Sequence, residues 1–286
     1  MPAQASEKKS HAGHAGEDAV QGESNEESQK SYRTILAQEI TAGKTELERS
    51  ALGLLISGLS AGLDVGWSLF LMGAMLTLVK DALPHVIVEL LVANMYSVGF
   101  LFVVLGRSEL FTEHTTLAVL PVLDRQASIR QLLRLWGLVY ATNILGVSLF
   151  AAMTAWVGPS LGVISRPALG EIAHGVVAHG SWQMLASAIL AGWLMGLLSW
   201  LVTAARDTIS QIFIVWLVTT AIGLCHLHHV IAGSAEVLAG LFAGQGITWA
   251  DTGRFLALVT LGNALGGAFF VALLKFGHAT QTTENG

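Results

Sequence analysis

Gly106-Arg107-Ser108-Glu109-Leu110-Phe111-Thr112-Glu113-His114 and Gly223-Leu224-Cys225-His226-Leu227-His228-His229 are polar interruptions of two long apolar runs, at 85–123 and 208–242. Each run is too long for one membrane crossing, which takes about 20 helical residues. Polar groups at membrane depth are costly unless they line a cavity or pack within protein. The interruptions are therefore read as the places where the second and fifth membrane helices break.

Four further apolar runs, at about 51–79, 131–157, 183–205 and 253–276, each fit one simple crossing. Composition agrees. Hydrophobic types make up 53% of the 286 residues and charged types only 12%, with a mean hydropathy of +0.61. The charge is also unevenly spread: residues 1–49 carry 15 of the 35 charges, and the last 237 residues carry 20. A soluble domain usually has about 25% charged residues. The reading is an all-α, multi-pass protein of the lipid bilayer. The net charge of −5, placed partly on an acidic tail, excludes nucleic acid as a partner. A single cysteine, Cys225, excludes a disulfide framework within the chain. The first apolar run starts near Ala51, too deep for a secretory signal peptide.

Residues 1–48 read as a disordered polar and acidic tail, 49–278 as the membrane domain and 279–286 as a short C-terminal tail. His11 and His14 are taken as incidental to the first tail. Lys44, Arg49, Arg125, Arg130, Arg134, Arg206 and Lys275 fall on one side of six crossings, and Lys80, Arg166 and Arg254 on the other. That bias places both termini in the cytoplasm.

The two breaks belong to a repeat. Asn143-Ile-Leu-Gly146-Val-Ser-Leu-Phe150 recurs as Asn263-Ala-Leu-Gly266-Gly-Ala-Phe-Phe270, and Gly106 and Gly223 stand at nearly the same offset. Segments one to three are therefore expected to duplicate as four to six. Three crossings is an odd number, so the second copy enters from the opposite face. The result is an inverted 3+3 repeat whose broken helices meet near the midplane. Half-helix N-termini there offer unpaired N–H groups that suit an anion.

These residues also carry a resemblance. Glu109-Leu110-Phe111-Thr112 resembles the acidic-Leu-Phe-Thr loop of the formate/nitrite transporter family. Leu227-His228-His229-Val230-Ile231-Ala232 resembles its Phe-Glu-His-Ser-Ile-Ala stretch, and Gly262-Asn263-x-x-Gly266-Gly267 its Gly-Asn-x-x-Gly-Gly. The likeness spans about residues 45–278. It implies an aquaporin-like fold, a homopentamer in the inner (plasma) membrane, and one pore per protomer. It also implies passage of small monovalent anions such as formate, nitrite, acetate or lactate, or of their conjugate acids, with no cofactor and no enzymatic activity. The chain departs from the family pattern at Gly233, where Asn is common, near Val177, where Lys is common, and at His228, which replaces an acid.

On spacing alone His229 is either a core histidine bonded to a carbonyl or to Thr112, or a donor at the pore centre. The resemblance implies the second, with His229 giving a hydrogen bond or a proton to the solute between apolar constrictions. Thr112 is expected to offer its hydroxyl to the histidine or the solute, or to cap the second half-helix. Leu110, Phe111, Leu227 and His228 are taken as pore-lining. Glu109, Asn143, Asn263 and Asp64 are taken as supporting residues, with Glu109 and Glu113 pairing Arg107 or His114. Asp64, Glu89 and Glu236 are intramembrane acids and so functional candidates. A metal site among His226, His228 and His229 is not expected, because adjacent side chains diverge. Gly58, Gly62 and Gly66, with Ala191 and Gly192, have the small-residue spacing of close helix packing. The eight tryptophans are read mostly as interface anchors. Two other readings are a neutral-solute channel of the aquaglyceroporin type, which the absence of any Asn-Pro-Ala stretch disfavours, and a membrane scaffold or sensor that keeps the fold without transporting.

Overall fold

The computed structural model describes residues 29–281. The stretches 1–28, with His11 and His14, and 282–286 lie outside the described residues. Among the described residues the regular structure is helical, with no strand. From Tyr32 onward the chain packs as one unit.

The first helix corrects an expectation. Residues 32–48 were expected to belong to a polar tail, but Tyr32–Glu48 forms α1. Its apolar residues are few but fall on one face, so Ile35, Leu36, Ile40 and Leu47 are all buried. Tyr32 lies 4.8 Å from the Trp200 ring and donates its hydroxyl to the Lys275 carbonyl at 2.6 Å. Burial pushes that hydroxyl up to about 12. Trp200 is consequently buried and not an interface anchor.

Next come α2 (Ala51–Val79), α3 (His85–Gly106), α4 (Phe111–Leu117) and α5 (Leu120–Leu123). They are followed by α6 (Ile129–Ser160), α7 (Arg166–Val177), α8 (Ser181–Ala204), α9 (Thr208–Leu224) and α10 (Val230–Phe242). The chain ends in α11 (Trp249–Leu265), a π-helical stretch (Gly266–Leu273) and α12 (Leu274–Gln281). The starts follow capping rules. Ser128 and Gln131 form a capping box at α6, and the Asp207 carboxylate accepts from the Ser210 N–H at α9. That backbone bond holds the Asp207 carboxyl below its usual range. The π-helical stretch begins at Gly266-Gly267, where the Thr116 hydroxyl donates to the Gly267 carbonyl at 3.0 Å. A side chain bonded into the helix ladder is a recognised cause of such a local change.

Five stretches are long and apolar enough to cross a membrane: Ala51–Val79, His85–Gly106, Ile129–Ser160, Ser181–Ala204 and Trp249–His278. The run 208–242 is divided between two shorter apolar helices, α9 and α10. The chain is thus a multi-pass membrane protein.

Two helix pairs form the frame. α2 lies along α6, and α8 along α11. A side chain on Gly62 would collide with the Asn143 carbonyl, and one on Gly192 with the Asn263 carbonyl. Glycine at these two places lets the backbones touch, as the small-residue spacing suggests.

Candidate functional site

Each close helix pair presents one buried asparagine to one interruption. Asn143 donates to the carbonyls of Gly58 (2.8 Å) and Glu109 (2.9 Å) and accepts from the Phe111 N–H (2.8 Å). Asn263 donates to the carbonyls of Ala188 (2.7 Å) and His228 (2.9 Å) and accepts from the Val230 N–H (2.7 Å). Both amides are fully buried. Two of the three bonds of each satisfy backbone groups that a helix interruption leaves without partners, and the third, to Gly58 or Ala188, ties the clamp to a continuous helix.

The backbone also turns alike in both places. Arg107 follows α3 at φ 55° and His226 follows α9 at φ 50°, both left-handed. One residue later, the Ser108 N–H donates to the Val103 carbonyl (3.1 Å) and the Leu227 N–H to the Ile222 carbonyl (3.0 Å). The glycines that mark the interruptions in sequence, Gly106 and Gly223, are not the left-handed residues. Each helix then restarts four residues after its left-handed turn, at Phe111 and Val230.

The restarted helices α4 and α10 meet through the two residues singled out in sequence. His229 Nε2 and Thr112 Oγ1 are 2.7 Å apart, and both side chains are buried. The His229 Nδ1 atom accepts from the Ala232 N–H at 3.2 Å, capping α10. That bond assigns the tautomer: Nδ1 is the acceptor, so Nε2 carries the hydrogen and donates to Thr112. The threonine hydroxyl keeps its own hydrogen for another acceptor. The Phe100 ring packs edge-on against His229, with centroids 5.0 Å apart.

His228 is held as firmly. Its Nε2 donates to the Val176 carbonyl at 2.9 Å, and its Nδ1 lies 2.8 Å from the Ser187 hydroxyl. Leu110 is fully buried, and the Phe111 ring packs 5.0 Å from that of Tyr140. A cavity of about 130 Å³ reaches His229, with Leu227, His228, Tyr96, Gly233 and Glu236 among its lining residues. Among the described residues lining it, none is lysine or arginine. No set of three His, Cys, Asp or Glu side chains among the described residues is placed to hold a metal ion.

The supporting acids lie apart from this cavity. Glu109 pairs with His114, as one of the sequence alternatives had it, and also with Arg49 at 2.5 Å; Arg107 is not its partner. Asp64 accepts from Ser60 (3.3 Å) and from Ser108 (3.2 Å), tying α2 to the first interruption. Sequence reasoning missed Tyr96, Phe100 and Ser187, which carry no motif and reach the site only through the packing of α3 and α8. The isolated acid in an apolar run was the signal for Glu236.

Comparison with known proteins shows the family and agrees with the fold. The family model described as formate/nitrite transporter matches residues 33–277. An inner membrane protein of Escherichia coli strain K12, YfdC, is 35% identical over 247 residues, covering 85% of this chain and 77% of its own. A solved structure described as an FNT family ion channel superposes with a TM-score of 0.76 at 23% identity, covering 86% of this chain and 98% of its own. Another, a pentameric formate channel with formate bound, gives 0.68 at 21% identity over 80% of this chain and 98% of its own.

Proposed function

The chain belongs to the formate/nitrite transporter family, and on that premise we propose that it is an inner-membrane channel or transporter for small monovalent anions of the formate and nitrite kind, or their conjugate acids. It is not an enzyme. Six crossings in an inverted repeat, with the second and fifth helices broken and both termini cytoplasmic, make one pore in each protomer of a homopentamer. Residues 1–31 and 279–286 flank the membrane domain as polar tails. The paired asparagine clamps and the matched left-handed turns support the repeat. The pentameric formate channel among the similar folds supports the assembly. Acetate and lactate belong to the same class of solute and are candidates on that ground.

One observation carries the reading: the starts of α4 and α10 meet at the Thr112–His229 bond, and a cavity reaches His229. An anion leaving water loses its hydration, so fixed donors in its path lower that cost. The Thr112 O–H is such a donor, oriented by the His229 Nε2–H that its oxygen accepts and backed by the N-termini of two helices. Because Nδ1 caps α10, His229 acts as a hydrogen-bond donor while neutral. Leu110 and Phe100 exclude water on either side, with Phe111 behind, and Leu227 and His228 form the wall.

Formate and nitrite uptake into proteoliposomes tests this. Wild-type protein is expected to carry both. His229→Ala and Thr112→Val each remove a donor and are expected to slow uptake about tenfold or more, the usual worth of a hydrogen bond to a charged group. Wild-type uptake equal to that of protein-free vesicles, or unchanged uptake in His229→Ala, overturns the reading.

A further inference from the structure

Three carboxyls line the cavity, Glu89, Glu171 and Glu236, and the reading above gives none of them a task. His229, Gly233 and Glu236 succeed one another at helical spacing, and all three line the cavity. Seven residues of α-helix put Glu236 about 10 Å from His229 along the axis of α10. Its residue exposure is only 7%, yet its carboxyl has no hydrogen-bond or ionic partner among the described residues. The other two acids of the cavity are both paired. Glu89 lies 3.1 Å from His226 and 3.6 Å from His85, and Glu171 is bound to Lys80. An intramembrane carboxyl with no basic partner is a functional candidate by default, and proton relay is one of its common uses.

We propose that Glu236 is the proton-loading group of this pathway: it takes a proton from the cavity and hands it to the bound anion, so that each anion moves with one proton. This rests on the transport reading of the preceding subsection.

The histidines are poorly placed for the same task. His229 Nδ1 accepts from a backbone N–H, and a second proton there would break the cap of α10. His228 has its Nε2–H on the Val176 carbonyl and its Nδ1 against Ser187. The remaining titratable groups of the cavity are Tyr96, Glu89, Glu171 and His226. Those on the other helices packed against α10 are engaged elsewhere. Arg254 donates to the carbonyls of Val177 and His179, and Asp251 accepts from Thr248. His174 is bonded to the Gln245 carbonyl, Tyr140 to Thr260, and Arg134 to the Arg49 carbonyl. On α4, His114 is bound to Glu109, and Glu113, beside Thr112, is not among the residues lining the cavity.

The two forms of Glu236 act oppositely on an anion. The carboxylate repels it; the protonated group offers an O–H donor. A proton moves from water at the mouth to a Glu236 oxygen, and the anion docks on that O–H. The proton then passes to the anion, and the neutral acid crosses the Thr112–His229 constriction. Glu236 is left as a carboxylate and is reprotonated from the mouth. One proton and one anion are consumed on one side and delivered on the other.

Two measurements on the full-length protein test the proposal. Infrared spectra of the purified protein are expected to show a carboxylic-acid C=O band that shifts in D2O, responds to sodium formate and is missing from Glu236→Gln. In proteoliposomes with an internal pH dye, wild-type formate uptake is expected to bring protons and to fall several-fold between pH 6 and pH 8. Glu236→Gln is expected to slow formate uptake several-fold and to lose proton uptake and most of the pH dependence. Glu236→Asp, which keeps a carboxyl, is expected to retain the band and the coupling, and it serves if the glutamine variant does not fold. A band that responds to formate in a protein without uptake supports the proton site and overturns only the transport reading. Absence of the band from wild-type protein overturns the proposal, as does a Glu236→Gln protein with wild-type proton uptake.

Discussion

The two interruptions share a backbone and differ in their charges. At each, a left-handed residue ends one helix, an asparagine clamps the turn, and a new helix starts four residues later. At the first, the side chains form a closed ionic group: Glu109 is held by Arg49 and His114, and Glu46 shares the same Arg49 nitrogen. At the second, the one carboxylate at the turn is Glu89, 3.1 Å from the exposed His226 ring, and no acid is buried in an ionic group there. His228 and His229 are bound to neutral partners, and the cavity beside them ends on an unpaired Glu236. The frame and the chemistry are therefore separable. The hydrogen bonds that fix the two turns match, while the charged groups around them differ.

The strongest way to break this comparison is through the clamps. Asn143→Ala leaves the Glu109 carbonyl and the Phe111 N–H without partners and unties the turn from Gly58. Asn263→Ala leaves the His228 carbonyl and the Val230 N–H without partners and unties the turn from Ala188. A buried polar group left unpaired costs about 1–3 kcal/mol. Each variant is thus expected to lose about 3 kcal/mol or more, and the two losses should match. Thermal unfolding of the detergent-solubilised protein measures both. A large loss in one with none in the other contradicts the equivalence of the frames.

Much of this frame was legible in the sequence, because Asn143 and Asn263 open the repeated pattern and Thr112 and His229 sit at one offset. The expected repeat pointed to a meeting of the two breaks, and Thr112 and His229 are in fact bonded. What stayed hidden has physical reasons. Arg107 and His226 adopt a conformation usually left to glycine, so composition pointed to the neighbouring Gly106 and Gly223 instead. The helix α1 was concealed by its many charges, since a narrow apolar face barely changes an average. The Arg49–Glu109 contact joins residues 60 apart, and no local pattern encodes it. Glu236 stood out as a lone acid in an apolar run, but its lack of a partner is a fact of packing.

A smaller effect is expected at the glycines beneath the clamps. Gly62→Ala drives a methyl into the Asn143 carbonyl, and Gly192→Ala drives one into the Asn263 carbonyl. Both obstacles are backbone, so the helices must separate. Forcing volume into a packed contact costs about 1–3 kcal/mol. The two variants should again lose similar amounts of thermal stability. Unchanged melting in either would show that its helix pair can spread freely.

The smallest expected effect separates the two regions instead of equating them. Glu46 contributes to the ionic group of the first interruption only. Burial holds its carboxyl above the usual range, the neighbouring Glu109 adds to this, and Arg49 opposes both. The folded protein therefore keeps a proton on Glu46 over a pH range where the unfolded chain has lost it. Stability then falls as pH rises from the ordinary carboxylate value through the raised one, and the cost is complete above that. Glu46→Gln removes this dependence together with the bond to Arg49, a half-exposed ion pair worth at most about 1 kcal/mol. The melting temperature of Glu46→Gln relative to wild type is expected to move in the variant's favour between pH 4 and pH 7. A move the other way would mean that Arg49 outweighs burial, and that the first interruption is stabilised by its charges, not merely closed by them.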